Sequence, residues 1–177
     1  TVAFFDLTKY NLPVTDPFNP LLTRTIGEAR TRGVEFEVQG EILPGWRLIG
    51  AYAYMPDATI NSGVNTGNRL FLAPEHSGSL WTTYELQAGL LSGLKFGGGA
   101  VGVSQRQGNE VNDYQLPGYV TMNLMAAYGL KVGPTKVTAQ LNIDNLIDKT
   151  YYAGSNSAYQ IQFGAPRTFL GSLRVEY

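Results

Sequence analysis

Arg167-Thr168-Phe169-Leu170-Gly171-Ser172-Leu173-Arg174-Val175-Glu176-Tyr177 ends the chain, and its reading decides the fold class. Phe169, Leu173, Val175 and Tyr177 share one parity with Gly171. Thr168, Ser172, Arg174 and Glu176 share the other, with Leu170 and the leading Arg167 as exceptions. Successive side chains of a strand point to opposite faces, so this pattern predicts a strand that is apolar on one face and charged on the other. At roughly 3.3 Å per residue and a tilt of about 45°, such a strand climbs about 25 Å, the height of the apolar band of a membrane-spanning β-barrel. A half-buried edge strand of a soluble sandwich alternates in the same way, so the rest of the chain has to separate the two.

Working outward, the segment before it, Thr135–Leu146, alternates most cleanly: Val137, Ala139, Leu141 and Ile143 against Lys136, Thr138, Gln140, Asn142 and Asp144. Further strands are predicted at Thr1–Asn11, Ala29–Ile42, Trp46–Met55, His76–Gln87, Gly93–Gln105 and Gly118–Leu130. Long polar or proline-rich connections are expected at Leu12–Gly27, Pro56–Pro74, Arg106–Pro117 and Ile147–Pro166, and short ones at Leu43–Gly45, Ala88–Ser92 and Lys131–Pro134. The eight strands are therefore joined long, short, long, short, long, short, long. Strands of roughly 10–14 residues exceed the usual globular 5–6. Alternation of short turns with long loops is the habit of outer-membrane barrels, short turns in the periplasm and long loops outside. The reading is an all-β, antiparallel, up-and-down transmembrane β-barrel meander, with the polar parity facing the lumen and the apolar parity facing lipid. Two other readings stay open: a self-contained eight-stranded outer-membrane protein with a structural or adhesive role, and a soluble lipocalin-like ligand-binding barrel.

Composition agrees with the membrane reading. The 177 residues carry a formal charge of −1, which gives no electrostatic case for nucleic acid. Charged residues make up 15%, against about 25% in a typical soluble domain. With no cysteine there is no disulfide, thiolate metal site or cysteine nucleophile. The longest apolar stretch, Leu48–Met55, is far short of the roughly 20 residues a membrane helix needs. The chain opens in mid-strand on Thr1-Val2-Ala3 without a methionine, and is expected to be a piece of a longer protein.

Several segments carry a family resemblance. Gly27-Glu28-Ala29-Arg30-Thr31-Arg32-Gly33-Val34-Glu35, followed by a strand with Trp46 and the Tyr52-x-Tyr54 pair, is similar to TonB-dependent ferric-siderophore receptors. Asn68-Arg69, Pro74-Glu75-His76 and Leu116-Pro117-Gly118-Tyr119 resemble strand openings of that family. Asn142 through Tyr152 looks like its penultimate strand entering the last outer loop, and Gly164-Ala165-Pro166-Arg167 like the start of its closing strand. The matches span almost the whole chain in the family's order. The resemblance implies that residues 1–177 are the carboxy-terminal segment of a 22-stranded, ferric-hydroxamate-receptor-like barrel in the bacterial outer membrane, without its plug domain. It implies a non-catalytic role in ferric-siderophore uptake, outer-membrane lipid and a ferric siderophore as partners, and TonB engaged only through the missing plug. It further implies recognition of the closing strand by the barrel-assembly machinery. Such barrels usually end in Phe or Trp, whereas this chain ends in Tyr177.

Other chemical signals resolve into structure. Gly97-Gly98-Gly99-Ala100-Val101-Gly102 satisfies G-x-G-x-x-G, yet no helix follows as a dinucleotide site requires, and small residues at a crowded barrel wall are the better reading. Glu35 and Glu37 share a face about 7 Å apart, a spacing that suits a glycosidase acid pair. With Arg32, Gln140, Asn142 and Arg174 they are instead expected to form a lumen-facing polar ladder. His76, the sole histidine, has no companion at metal-ligand spacing, and Asp144-Asn145 with Asp148 lacks the order of a Ca²⁺ loop. No cofactor or metal site is expected. The ligand would be gripped by loop aromatics: Tyr114, Tyr159, Phe163 and Tyr151 foremost, with Tyr10, Phe18, Phe71 and Tyr152 as further candidates. Each also suits an interfacial girdle, as Trp46 does on the periplasmic side.

Overall fold

The computed structural model describes residues 1–15, 19, 21–63 and 65–177, with backbone alone at 14, 15, 23–26 and 156. Eight long strands form one antiparallel meander: β1 (Val2–Thr15), β2 (Thr23–Leu43), β3 (Trp46–Ser62), β4 (His76–Glu85), β5 (Lys95–Val103), β8 (Tyr119–Val132), β9 (Thr135–Asp144) and β12 (Thr168–Glu176). Two small hairpins, β6 (Arg106–Gln107) with β7 (Gln115–Leu116) and β10 (Tyr152–Ser157) with β11 (Gln160–Phe163), stand in the last two long connections. The sheet is open: β1 and β12 are its two edges and share no ladder.

Directly paired residues share a face, so the ladders fix the two surfaces. One row runs Leu48, Thr82, Gly98, Leu124, Ile143, Phe169; the next runs Trp46, Tyr84, Phe96, Ala126, Leu141, Gly171. Phe36, Tyr52 and Val120 extend the same face. This apolar face points outward into open space: Phe169 is 63% and Leu173 68% exposed. Among the described residues the buried apolar side chains are Ala29, Ala58, Ile60 and Leu116. A water-soluble sandwich or lipocalin-type barrel turns such a face inward to make its core. Here no layer of the described residues covers it, which suits a strand wall facing a bilayer.

Three strands outrun their expected ends. β1 continues through Pro13 to Thr15, β2 begins at Thr23 instead of Ala29, and β3 runs past Pro56 to Ser62. Both prolines lack the amide a ladder needs, and the fold places each where none is demanded. Pro13 is on the edge strand beside two register shifts. Pro56 lies in a bulge, where three residues of β3 advance against two of β2 between the pairs Val34–Tyr54 and Arg32–Asp57. The proline-rich stretch is thus strand at both ends rather than loop from 12 to 27. Phe18 falls outside the described residues.

Candidate functional site

At the end of the sheet carrying the long connections, three loops are tied together by side chains that reach across sequence. Arg106 is the centre, only 5% exposed. Its Nη2 donates to the carbonyls of Tyr152 and Ala153, and its guanidinium lies 5.5 Å from the Tyr119 ring centroid. Tyr119 in turn packs against Tyr151, ring centroids 4.3 Å apart and planes tilted by 34°. The Tyr114 hydroxyl is within hydrogen-bond distance of the Gly108 carbonyl, 2.9 Å, and of Ser155 Oγ. The β5–β8 connection is therefore fastened to the β10–β11 hairpin by a cation and two phenols.

The β3–β4 connection joins the same cluster. Asn68 Nδ2 donates to the Glu110 and Val111 carbonyls, and the Leu72 amide to the Gln107 carbonyl. Arg69 spreads its guanidinium over the carbonyls of Met55, Pro56 and Ala73. Arg69 and Arg106 together border a polar cavity of about 340 Å³ whose wall also includes Glu75, Gln105, Gln107 and Gln115. Among the described residues, Arg106 Nη1 and Gln107 Oε1 are the buried side-chain polar atoms without a partner. Two guanidiniums against one carboxylate bias the cavity toward acceptor-rich, anionic groups.

The loop aromatics divide. Tyr114 and Tyr151 are engaged inside the cluster, and Phe163 packs on Tyr152 at 5.3 Å. Tyr159, between β10 and β11, is the most exposed of the four leading aromatics, at 98%. Tyr10 and Phe71 are also exposed. Tyr114 thus positions loops instead of presenting a free ring, because its hydroxyl is occupied from both sides. The two arginines at the centre were visible in sequence only as loop residues; burial and carbonyl partners are what single them out.

The face opposite the apolar one carries Gln140, Asn142 and Arg174 on β9 and β12 and, several strands away, Glu35 and Glu37 on β2. Gln140 Nε2 donates to Asn142 Oδ1 at 2.9 Å, and Arg174 pairs with Glu176 at 2.8 Å. Arg32 departs from this set: it has the parity of Val34 and Phe36 and lies on the apolar side, paired with Asp57 at 2.7 Å. The pair stands beyond the aromatic row of Tyr52, Tyr54 and His76, where Tyr54 and His76 stack at 4.9 Å and the Tyr52 hydroxyl meets His76 Nδ1 at 2.7 Å. His76 is thereby a member of an aromatic girdle. In the stretch above it, the Thr59 hydroxyl first and Arg32 second hold the Asp57 carboxyl below its ordinary range, and the Arg30 hydrogen bond does the same for Asp6.

The glycine run of β5 has a packing explanation. Gly97 and Gly99 face away from the apolar side, opposite Thr83 and Trp81. A Cβ on Gly99 would fall 2.4 Å from both the Leu80 carbonyl and the Trp81 ring. No group of three or more His, Cys, Asp or Glu side chains is placed to hold a metal among the described residues.

Comparison with known proteins bears on this architecture. Residues 1–146 match the family described as TonB dependent receptor-like, beta-barrel. The metal-pseudopaline receptor CntO of Pseudomonas aeruginosa is 37% identical over the whole chain, which covers 25% of that receptor. The ferrioxamine B receptor of Salmonella typhimurium is 35% identical over 90% of the chain and 22% of its own length. Among solved structures, BauA, the ferric preacinetobactin receptor from Acinetobacter baumannii, superposes with a TM-score of 0.84 at 28% identity, over 97% of this chain and 26% of BauA. The chain spans about a quarter of the length of the curated relatives it matches.

Proposed function

The chain belongs to the TonB-dependent receptor-like β-barrel family of outer-membrane proteins, and from that membership we propose that it is the carboxy-terminal wall of a receptor importing a ferric siderophore or closely similar metal chelate. Its family consists of receptors and transporters, not enzymes, and the role proposed is non-catalytic. The observation that carries the reading is the pairing of an outward apolar sheet with a consolidated polar loop cluster at one end, centred on Arg69 and Arg106. The relatives named above as receptors for metal-pseudopaline, ferrioxamine B and ferric preacinetobactin supply the ligand class. Metal chelates of this kind display acceptor oxygens, which suit guanidinium donors. Energy coupling through TonB would enter by a plug domain elsewhere in the receptor, and the barrel-assembly machinery would engage β12.

The test is uptake by the full-length receptor, expressed in a host stripped of its own siderophore receptors and offered radio-iron on hydroxamate, catecholate and opine-type chelators. Saturable uptake of one of these classes, abolished by deletion of TonB, is the expected result. Iron entry no greater than that of the empty host for every chelator would overturn the reading.

A further inference from the structure

The apolar face is not smooth. Between its midline and the short-turn end lies a groove of about 580 Å³, a volume in the range of small-molecule sites, roughly 300–1,000 Å³. Its origin is in the ladders. Gly98 sits between Thr82 and Leu124, and one row nearer the short turns Ala126 sits between Phe96 and Leu141. Two small residues on adjacent rows leave a depression, and Trp46, Tyr84 and Phe96 raise one rim of it, the last two with ring centroids 5.7 Å apart.

The groove makes little polar demand. Thr82 contributes its hydroxyl group, but that oxygen accepts the Trp46 indole N–H at 2.7 Å and donates to the Arg47 carbonyl at 3.1 Å. Trp46 and Thr82 are thus satisfied within the wall, and Tyr84 adds a phenol at the rim. A hydrocarbon occupant therefore leaves the Trp46 and Thr82 groups paired as they are. The groove is also continuous with the belt that faces the bilayer. Its tall rim lies at the short-turn end, beside the Leu43–Trp46 and Glu85–Lys95 pairs, which is the periplasmic side of such barrels.

We infer that this groove holds one acyl chain of a phospholipid from the periplasmic leaflet, retained as a bound lipid instead of exchanging with the bulk. Within a bilayer the apolar character of the wall gives no preference by itself, since the surrounding chains are equally apolar. What distinguishes this position is fit: an unfilled depression forfeits dispersion contacts along its lining, and a single chain lying across Gly98 and Ala126 restores them. The inference needs the bilayer-facing wall alone, so failure of the chelate-uptake test leaves it standing and its own failure leaves that reading intact.

The experiment uses the full-length receptor purified from outer membranes in mild detergent. Native mass spectrometry counts retained phospholipids in the wild type and in Gly98→Leu and Ala126→Leu, each of which fills the groove from a different strand. Heat-modifiable gel migration establishes that each variant is folded. The wild type is expected to keep one phospholipid more than either folded variant. Independently of any filling variant, phospholipid brominated in its acyl chains is exchanged onto the wild type and Trp46→Phe, and the Trp46 fluorescence is taken as their difference. Quenching that persists after dilution into unlabelled detergent is expected. Equal phospholipid counts in wild type and folded variants, Trp46 emission that recovers at once on dilution, or a second protein subunit in place of lipid would each overturn the inference.

Discussion

Asn112 and Arg69, 43 residues apart, exchange a reciprocal pair of hydrogen bonds: the Arg69 amide donates to Asn112 Oδ1 at 2.9 Å, and Asn112 Nδ2 donates to the Arg69 carbonyl at 2.9 Å. The carboxamide imitates a neighbouring strand, pairing both backbone groups of one residue. Asn112 reaches that position from the left-handed region, at φ 61°, where asparagine is tolerated better than most side chains. The β3–β4 and β5–β8 connections are thereby one unit, and Arg106 attaches the β10–β11 hairpin to it.

Asn112→Ala removes both bonds to Arg69, together with the Nδ2 contacts to the Asn109 and Glu110 carbonyls in its own loop, and leaves a residue without a local hydrogen-bonding group at positive φ. The two bonds that join the loops, at about 1 kcal/mol each, make opening of this junction roughly 30-fold more frequent, before the bonds within the loop and any backbone strain are added. Deuterium uptake in the full-length receptor should accelerate at residues 67–72 and 107–114 while the ladder of β8 with β9 is unchanged. Asn112→Gly relieves strain but not the lost bonds, and should accelerate less.

Arg106→Ala leaves the carbonyls of Tyr152 and Ala153 without their donor and the Tyr119 ring without its cation. A loss of about 1–3 kcal/mol is expected in the docking of the β10–β11 hairpin. Limited proteolysis between Ser157 and Gln160 should quicken, and the chelate Kd of the whole receptor should rise by about tenfold. Arg106→Lys keeps the charge but not the planar fork, and should recover less than half of the change.

Gly99→Ala drives a methyl group against the Leu80 carbonyl and Trp81, whereas Gly102→Ala meets only a Val120 methyl at an ordinary 3.6 Å. Overpacking of this kind costs about 1–3 kcal/mol. The temperature at which the folded gel band disappears should drop for Gly99→Ala. It should stay level or rise slightly for Gly102→Ala, which loses backbone freedom in the unfolded chain.

Asp57 supplies a pH dependence. Its folded carboxyl ionises below the ordinary range, so the stabilisation is present above the unfolded value of about 3.9 and is lost as pH falls through the folded one. Exchange protection of residues 57–60 should therefore hold at pH 5 and weaken progressively below pH 4. Asp57→Asn should flatten that profile, and high salt should diminish the Arg32 share of it.

The strands were legible because alternation is local: two residues of separation decide a face, and Val137, Leu141 and Ile143 announce theirs without knowledge of any partner. Arg32, expected in the lumen-facing ladder, departs from it although the signal was local: its parity with Val34 puts it on the apolar side. The strand ends were not legible, because Pro13 and Pro56 read as breakers until the edge position and the bulge that accommodate them are known. The loop cluster was still less accessible. That Tyr114 is engaged depends on Ser155, 41 residues away, and that Arg106 is buried depends on carbonyls 46 and 47 residues away. No window of sequence contains both halves of those interactions.

The unshared edges of β1 and β12 give the sheet two unsatisfied valences. Across the hydrocarbon layer a free row of amides and carbonyls finds no water, so each edge demands a strand. Since β1 and β12 run in opposite directions at the ends of an eight-membered meander, one edge is complementary to the other in polarity. A sheet of this kind takes on further strands or closes, and each added wall strand only moves the open edge outward. In a bilayer, strand number is then set by the point at which curvature lets the first valence meet the last.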